Sequence, residues 1–224
     1  MPAFFITGSG TDVGKTFVVA GLTRAFREQG RDVEVLKPIV SGFNPADPST
    51  SDPAMLLEAL GRPVSSENLA LVSPLRFSAP LSPDMAAAAE GRAIDMAEVK
   101  AFCDEALART TDVLLIEGVG GVMVPLNAAK TQLDLMRALN LPLIFVGGSY
   151  LGAISHSLTA LDVLRANRLT VRAVVISETP DSSVGLDATL ATLANFTSAP
   201  LLALARNAST ASNEAVFARL ASLI

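Results

Sequence analysis

Apolar, β-rich runs alternate with amphipathic segments along almost the whole chain, and that alternation narrows the possible folds more than any other feature. "AFFITG" (3–8), "DVEVLKPI" (32–39), "DVLLIEG" (112–118), "LPLIFVGG" (141–148), "VRAVVIS" (171–177) and "APLLAL" (199–204) read as buried strands. Segments near 15–29, 95–109, 131–139, 153–167, 186–196 and 212–223 read as helices. Near-continuous apolar strands separated by helices imply a parallel sheet, because each parallel connection crosses over and its helix covers a face. The expectation is an α/β fold of the P-loop NTPase kind, with a mostly parallel central sheet and helices on both faces, in one domain over residues 1–224. Half of the residues are hydrophobic and 17% are charged, which suits a large core and a further buried surface such as an oligomer interface. The polar stretch 42–52, "GFNPADPSTSD", reads as a loop.

The first strand runs into "TGSGTDVGKT" (7–16) and then into a helical pattern. Gly8 begins the turn and Gly14-Lys15-Thr16 opens the helix, so successive backbone N–H groups converge on an anion at the positive end of the helix dipole. Lys15 adds a point charge for the β- and γ-phosphates, and Thr16 a hydroxyl for Mg²⁺. Five residues rather than four separate Gly8 from Gly14, and the four-residue spacing would put its glycine at Ser9.

A phosphate loop needs metal-holding carboxylates from elsewhere, and strand ends are their usual source. Glu117 closes an apolar strand at the carboxyl edge of the sheet, where open α/β sheets bind ligands. Burying it unpaired is expensive, so a metal or a cluster of N–H groups should meet it, and the glycines of "EGVGG" let backbone approach phosphate. Lys37 ends the second strand in "VLKPIVSG", on the same sheet edge, with Pro38 stiffening its exit and Ser41 following in the turn. Asp52, ahead of Pro53, reads equally well as a helix N-cap or as a second metal ligand. His156 is the only histidine, so a zinc site is excluded on count, and a structural or interface role is expected. Cys103 lies in a helical pattern and reads as a buried structural thiol.

A net charge of −5 and a pI near 4.9, without a Lys/Arg cluster, argue against nucleic-acid binding. No apolar run reaches the roughly 18 to 20 residues of a membrane span. The start, Met1-Pro2-Ala3, has no signal-peptide pattern, and a lone cysteine suits a reducing compartment, so a cytoplasmic location is expected.

In order and separation, "TGSGTDVGKT", "LKPIVSG", "LSPDMAAAAEG", "IEGVGGVMVPL" and "LGAISHSLTAL" resemble the motifs of the dethiobiotin synthetases, over roughly residues 2–180. The resemblance implies a dimeric, Mg²⁺-dependent enzyme that uses ATP and CO₂ to close the cyclic urea of dethiobiotin on 7,8-diaminopelargonate. It implies that Lys37 touches both carbamate and γ-phosphate, with Lys15 on the phosphates, and that Thr11 and Ser41 contact the substrate. Thr16, Asp52 and Glu117 would ligate metal directly or through water, which favours the metal reading of Asp52. Asp12, Val13, Gly14, Phe17, Gly118, Val119, Gly120, Ser177 and Glu178 fall at nucleotide-binding positions. The segment 149–157 would line the diamine's carboxylate end from the partner subunit, making the site shared. Against the family pattern, Asp12 replaces a usual Glu, Asp84 stands where His is frequent and Ser155 where Asn is common. Ser177 holds the place of an adenine-reading Asn, and "PLLALARN" lacks a G-x-x-P.

A ParA/MinD-like ATPase switch would share the sheet and the phosphate loop. Such proteins carry an extra lysine early in that loop and often a basic amphipathic tail. Residues 8–14 contain no lysine, and "NEAVFARLASLI" has only Arg219. A cobyrinate-type amidotransferase would need a glutaminase domain and a cysteine triad, and neither is apparent.

Overall fold

A computed structural model describes residues 2–224. In chain order its elements are β1 (Ala3–Gly8), α1 (Lys15–Glu28), β2 (Val33–Leu36), β3 (Ile39–Ser41), a 3₁₀ turn at Pro48–Thr50, α2 (Asp52–Ala59), α3 (Ser66–Val72), β4 (Leu75–Phe77) and α4 (Pro83–Ala89). There follow α5 (Met96–Arg109), β5 (Val113–Glu117), α6 (Gln132–Leu139), β6 (Leu143–Gly148), α7 (Ala153–Ala166), β7 (Val171–Ser177), α8 (Leu186–Leu193), β8 (Leu201–Leu204) and α9 (Thr210–Leu223).

All six expected strands join one sheet in the order β2-β5-β1-β6-β7-β8, with every pairing parallel. Period-two alternation sends successive side chains to opposite faces. Phe4 and Ile6 enter one core with Leu22 and Phe26 of α1 and Phe217 of α9. Phe5 enters the other, with Cys103 of α5, Met136 of α6 and Leu164 of α7. Both faces are therefore dry, which is why these strands carry no polar alternation. Cys103 is fully buried, and burial pushes its thiol up to about 12, as expected of a structural cysteine.

The sequence reading differs from the structure around the second strand. The run 32–39 divides into β2 and β3, because Pro38 has no N–H for the ladder. The chain then leaves the main sheet, and β3 pairs with β4 in a separate two-stranded parallel sheet. Lys37 sits at this junction just past β2, its backbone N–H donating to the Val72 carbonyl at 2.8 Å. The expected loop 42–52 holds as far as Ser51, apart from the 3₁₀ turn. Helices α3 and α4 and strand β4 were not foreseen, and of α2 only a possible start at Asp52-Pro53 was.

Candidate active site

Every strand of the main sheet points its carboxyl end toward the same edge, and the loops leaving β1, β2 and β5 build a cleft there of about 810 Å³. The phosphate loop holds its shape through close approaches. A Cβ at Gly8 would lie 2.6 Å from the Val146 carbonyl of β6. Gly14 takes φ of +92°, where a side chain would also meet the Ser177 hydroxyl at 2.9 Å. Asp12 adopts a left-handed φ of +56°, which Asp tolerates better than most residues. Alternating conformations of this kind turn consecutive N–H groups inward and make a concave anion seat ahead of α1.

Lys15 folds back over the loop, its Nζ donating to the Gly10 carbonyl at 2.6 Å. It is 6% exposed, and burial lowers its pKa to about 8, the nearby Glu117 only partly opposing and Lys37 reinforcing the drop. Such an ammonium is short of counter-charge, as a phosphate-binding cation should be before its ligand arrives.

Lys37 lies at the centre of the cleft. Its Nζ donates to Glu117 Oε1 at 2.6 Å, to Thr16 Oγ1 at 3.2 Å and to the half-exposed Asp52 carboxylate. Thr16 Oγ1 in turn donates to Glu117 Oε1 at 2.7 Å. Burial alone would lower the Lys37 pKa, but the carboxylates of Glu117 and Asp52 outweigh it and hold the group above its ordinary value. Glu117 is 1% exposed, and its Oε2 has no hydrogen-bond partner among the described residues. The N-cap reading of Asp52 is corrected here: Ser51 caps α2, its Oγ accepting from Ala54 N at 3.3 Å. Asp52 begins the helix instead, with its carboxylate free to face Lys37.

Among the described residues no three His, Cys, Asp or Glu side chains cluster as a self-sufficient metal cage. Thr16, Asp52 and Glu117 nevertheless fit Mg²⁺, which takes one or two carboxylates and completes its shell with substrate phosphates and water. The unpartnered Oε2 of Glu117, buried at this point, is the observation that favours a cation.

Residues 2–215 match the model of a family described as an AAA domain. A protein of Methylobacterium nodulans named ATP-dependent dethiobiotin synthetase is 46% identical over 211 residues, covering 92% of this chain and 94% of the relative. Relatives of the same name from Phenylobacterium zucineum and Caulobacter vibrioides are 52% identical over 182 residues and 49% over 197. They cover 81% and 88% of this chain, and 78% and 88% of their own. The chain belongs to the dethiobiotin synthetases. Among solved structures, the septum site-determining protein MinD of Pyrococcus horikoshii, complexed with Mg-ADP, superposes with a TM-score of 0.53 at 16% identity, over 98% of this chain and 94% of that one. At that identity the likeness is one of fold.

A second cavity of about 350 Å³ adjoins the first and shares Asp12, Gly14 and Phe17 with it. Val13, Ser177 and Glu178 line this cavity rather than the main cleft. Thr11, Ser41, Val119 and Gly120 line the main cleft, while Gly118 sits behind it against the Phe5 ring. Glu178 is tied down, its Oε2 accepting from Arg206 N at 2.8 Å, and Asp12, Ser177, Thr179, Arg206 and Asn213 are the other polar side chains that line this cavity. His156 is exposed on α7, its Nδ1 2.9 Å from the Tyr150 hydroxyl. A larger groove of about 940 Å³, at the amino ends of β7 and β8, holds none of the predicted residues.

Sequence reasoning gave no site role to Met55 or to Pro80–Pro83, although the motif "LSPDMAAAAEG" covers most of that segment, and both line the cleft. Ser82 ahead of Pro83 is a helix-start signal that could have located α4 there. Nothing in the local sequence marked Asn213, which belongs to a helix of surface character.

Proposed function

We propose that the protein carboxylates 7,8-diaminopelargonate with CO₂ and closes the ring to dethiobiotin, converting ATP to ADP and phosphate. One amine takes up CO₂ as a carbamate, a carbamate oxygen attacks the γ-phosphorus as ADP leaves, and the second amine then attacks the carbamoyl carbon and expels phosphate. The observation that carries this reading is the convergence of Lys37 with Thr16, Asp52 and Glu117 beside the charge-poor Lys15, in a chain whose relatives are named ATP-dependent dethiobiotin synthetases.

Bringing a carbamate against a triphosphate sets two anions together, and fixed cations in a dry cleft lower that barrier because they need no reorganisation. Lys15 serves the β- and γ-phosphates and Lys37 the meeting point of carbamate and γ-phosphate. Thr11 and Ser41 orient the diamine. Thr16, Asp52 and Glu117 would hold Mg²⁺, which would neutralise charge on the phosphate oxygens. The second cavity takes the base. The active form is a cytoplasmic homodimer of single-domain subunits, in which residues 149–157 of the partner complete the diamine site.

Protein incubated with the diamine, ATP, Mg²⁺ and labelled bicarbonate should yield acid-stable label, since a free carbamate loses CO₂ in acid and a cyclic urea does not. Absence of stable label would end the proposal. Lys37→Ala should lower kcat by on the order of 10²-fold while nucleotide still binds.

A further inference from the structure

We propose that Lys37 has a second role, as a positioning residue: before nucleotide binds, its ammonium assembles and holds the cation seat formed by Thr16, Asp52 and Glu117, so that a divalent cation gains the seat only together with phosphate. The idea rests on the metal–nucleotide reading above and adds an exchange to it. A lysine ammonium has three N–H donors and no acceptor. Here each donor has its own oxygen: Thr16 Oγ1 at 3.2 Å, Glu117 Oε1 at 2.6 Å and Asp52 Oδ2. These are the same three side chains that the cation needs. The side chain of Lys37 is only 5% exposed, so its charge has no route to water that leaves these partners intact.

A bare divalent ion would have to shed water and push a buried ammonium toward Lys15, a second cation at the same cleft. A triphosphate changes the balance, because it offers Lys37 an anion to move to as the metal takes over Glu117 and Asp52. The exchange delivers the ammonium toward the γ-phosphate, where the proposed chemistry uses it. If Lys37 holds the seat in nine molecules of ten, the apparent affinity for the free ion falls about tenfold.

The test uses Mn²⁺ as the probe ion, followed by electron paramagnetic resonance on the protein without nucleotide and with the non-hydrolysable β,γ-imido analogue of ATP. Wild type should bind Mn²⁺ strongly only with the analogue. Lys37→Met, which keeps the stem and removes the charge, should bind Mn²⁺ without nucleotide about tenfold more tightly than wild type or better, and Lys37→Met/Glu117→Gln should lose that gain. Lys37→Gln replaces Lys37→Met if the latter does not fold. Equal nucleotide-free binding by wild type and the variant, or binding by wild type that the triphosphate analogue does not improve because it is already strong, overturns the exchange alone. Failure of wild type to bind Mn²⁺ even with the analogue overturns the metal–nucleotide reading, and the exchange with it.

Discussion

Lys37→Met should destabilise the nucleotide-free protein, and Glu117→Gln in the same chain should restore much of the loss. Removing the ammonium leaves Glu117, 1% exposed, with one oxygen on the Thr16 hydroxyl and the other without a partner. Breaking a buried pair from one side costs about 3–5 kcal/mol, because the remaining charge stays desolvated. Water can take over for Asp52, whose side chain is 48% exposed, so the lower figure of about 3 kcal/mol is expected. For a chain of this size that is a fall of roughly 6–12 °C in Tm. Glu117→Gln alone leaves Lys37 with Asp52 and should cost about 2 kcal/mol, whereas the double variant carries no uncompensated buried charge and should lie within about 2 kcal/mol of wild type. The measurement is thermal or urea unfolding in EDTA at one fixed protein concentration. Because Lys37 is held above its ordinary 10.5, its contribution is fully present below that pH and disappears only as pH rises through the higher folded value. A double variant as unstable as the two single losses added together would show that the buried pair does not govern this part of the fold.

Lys15 should behave oppositely. A drop from 10.5 to about 8 corresponds to about 3 kcal/mol, and losing the ammonium's bond to Gly10 costs about 2, so Lys15→Met should stabilise the nucleotide-free protein by about 1 kcal/mol while abolishing nucleotide binding. That gain should be full below pH 8 and fade as pH rises toward 10.5, which unfolding at pH 7 and pH 10 would reveal; a Lys15→Met protein less stable than wild type at pH 7 would contradict it. Ser177 has one hydroxyl where an Asn could donate and accept at once, so CTP, GTP and UTP should support ring closure within about tenfold of ATP. Ser177→Asn, turned from Gly14 into the second cavity, should sharpen the preference for ATP, and hundredfold rejection of the other triphosphates by wild type would refute the argument. Sedimentation without nucleotide should show a dimer, and an active monomer would remove the shared site.

The parts legible in the sequence were those fixed by short-range pattern. Dry strands, the glycine-bearing turn and its lysine each announce themselves within a few residues, and all six main-sheet strands were placed. Strands β3 and β4, three residues each, are too short for a period to register. Helices α6 and α8 are only eight residues long and were legible, but α2, α3 and α4 are as short or shorter and lie beside Pro-, Ser- and Asp-rich turns that mask their periodicity. Asp52 before Pro53 looked like a cap, but Ser51 was the better one, and only the fold could show which oxygen faced α2. The meeting of Thr16, Lys37 and Glu117 across 80 to 101 residues belongs to topology rather than to local pattern.

The sheet order also bears on how the chain is made. Strands β1 and β2 are made before β5, yet they never pair with each other: β5 lies between them, and the other neighbour of β1 is β6. The most apolar part of the amino-terminal segment therefore waits unpaired until residues 113–117 have been synthesised, which at about 5–20 residues per second is roughly 4–16 s. During that interval two dry strands lack their sheet partners, and unpaired strand edges are where association between neighbouring nascent chains begins. The topology that gathers four distant side chains at one sheet edge thus leaves β1 and β2 open while the chain is being made.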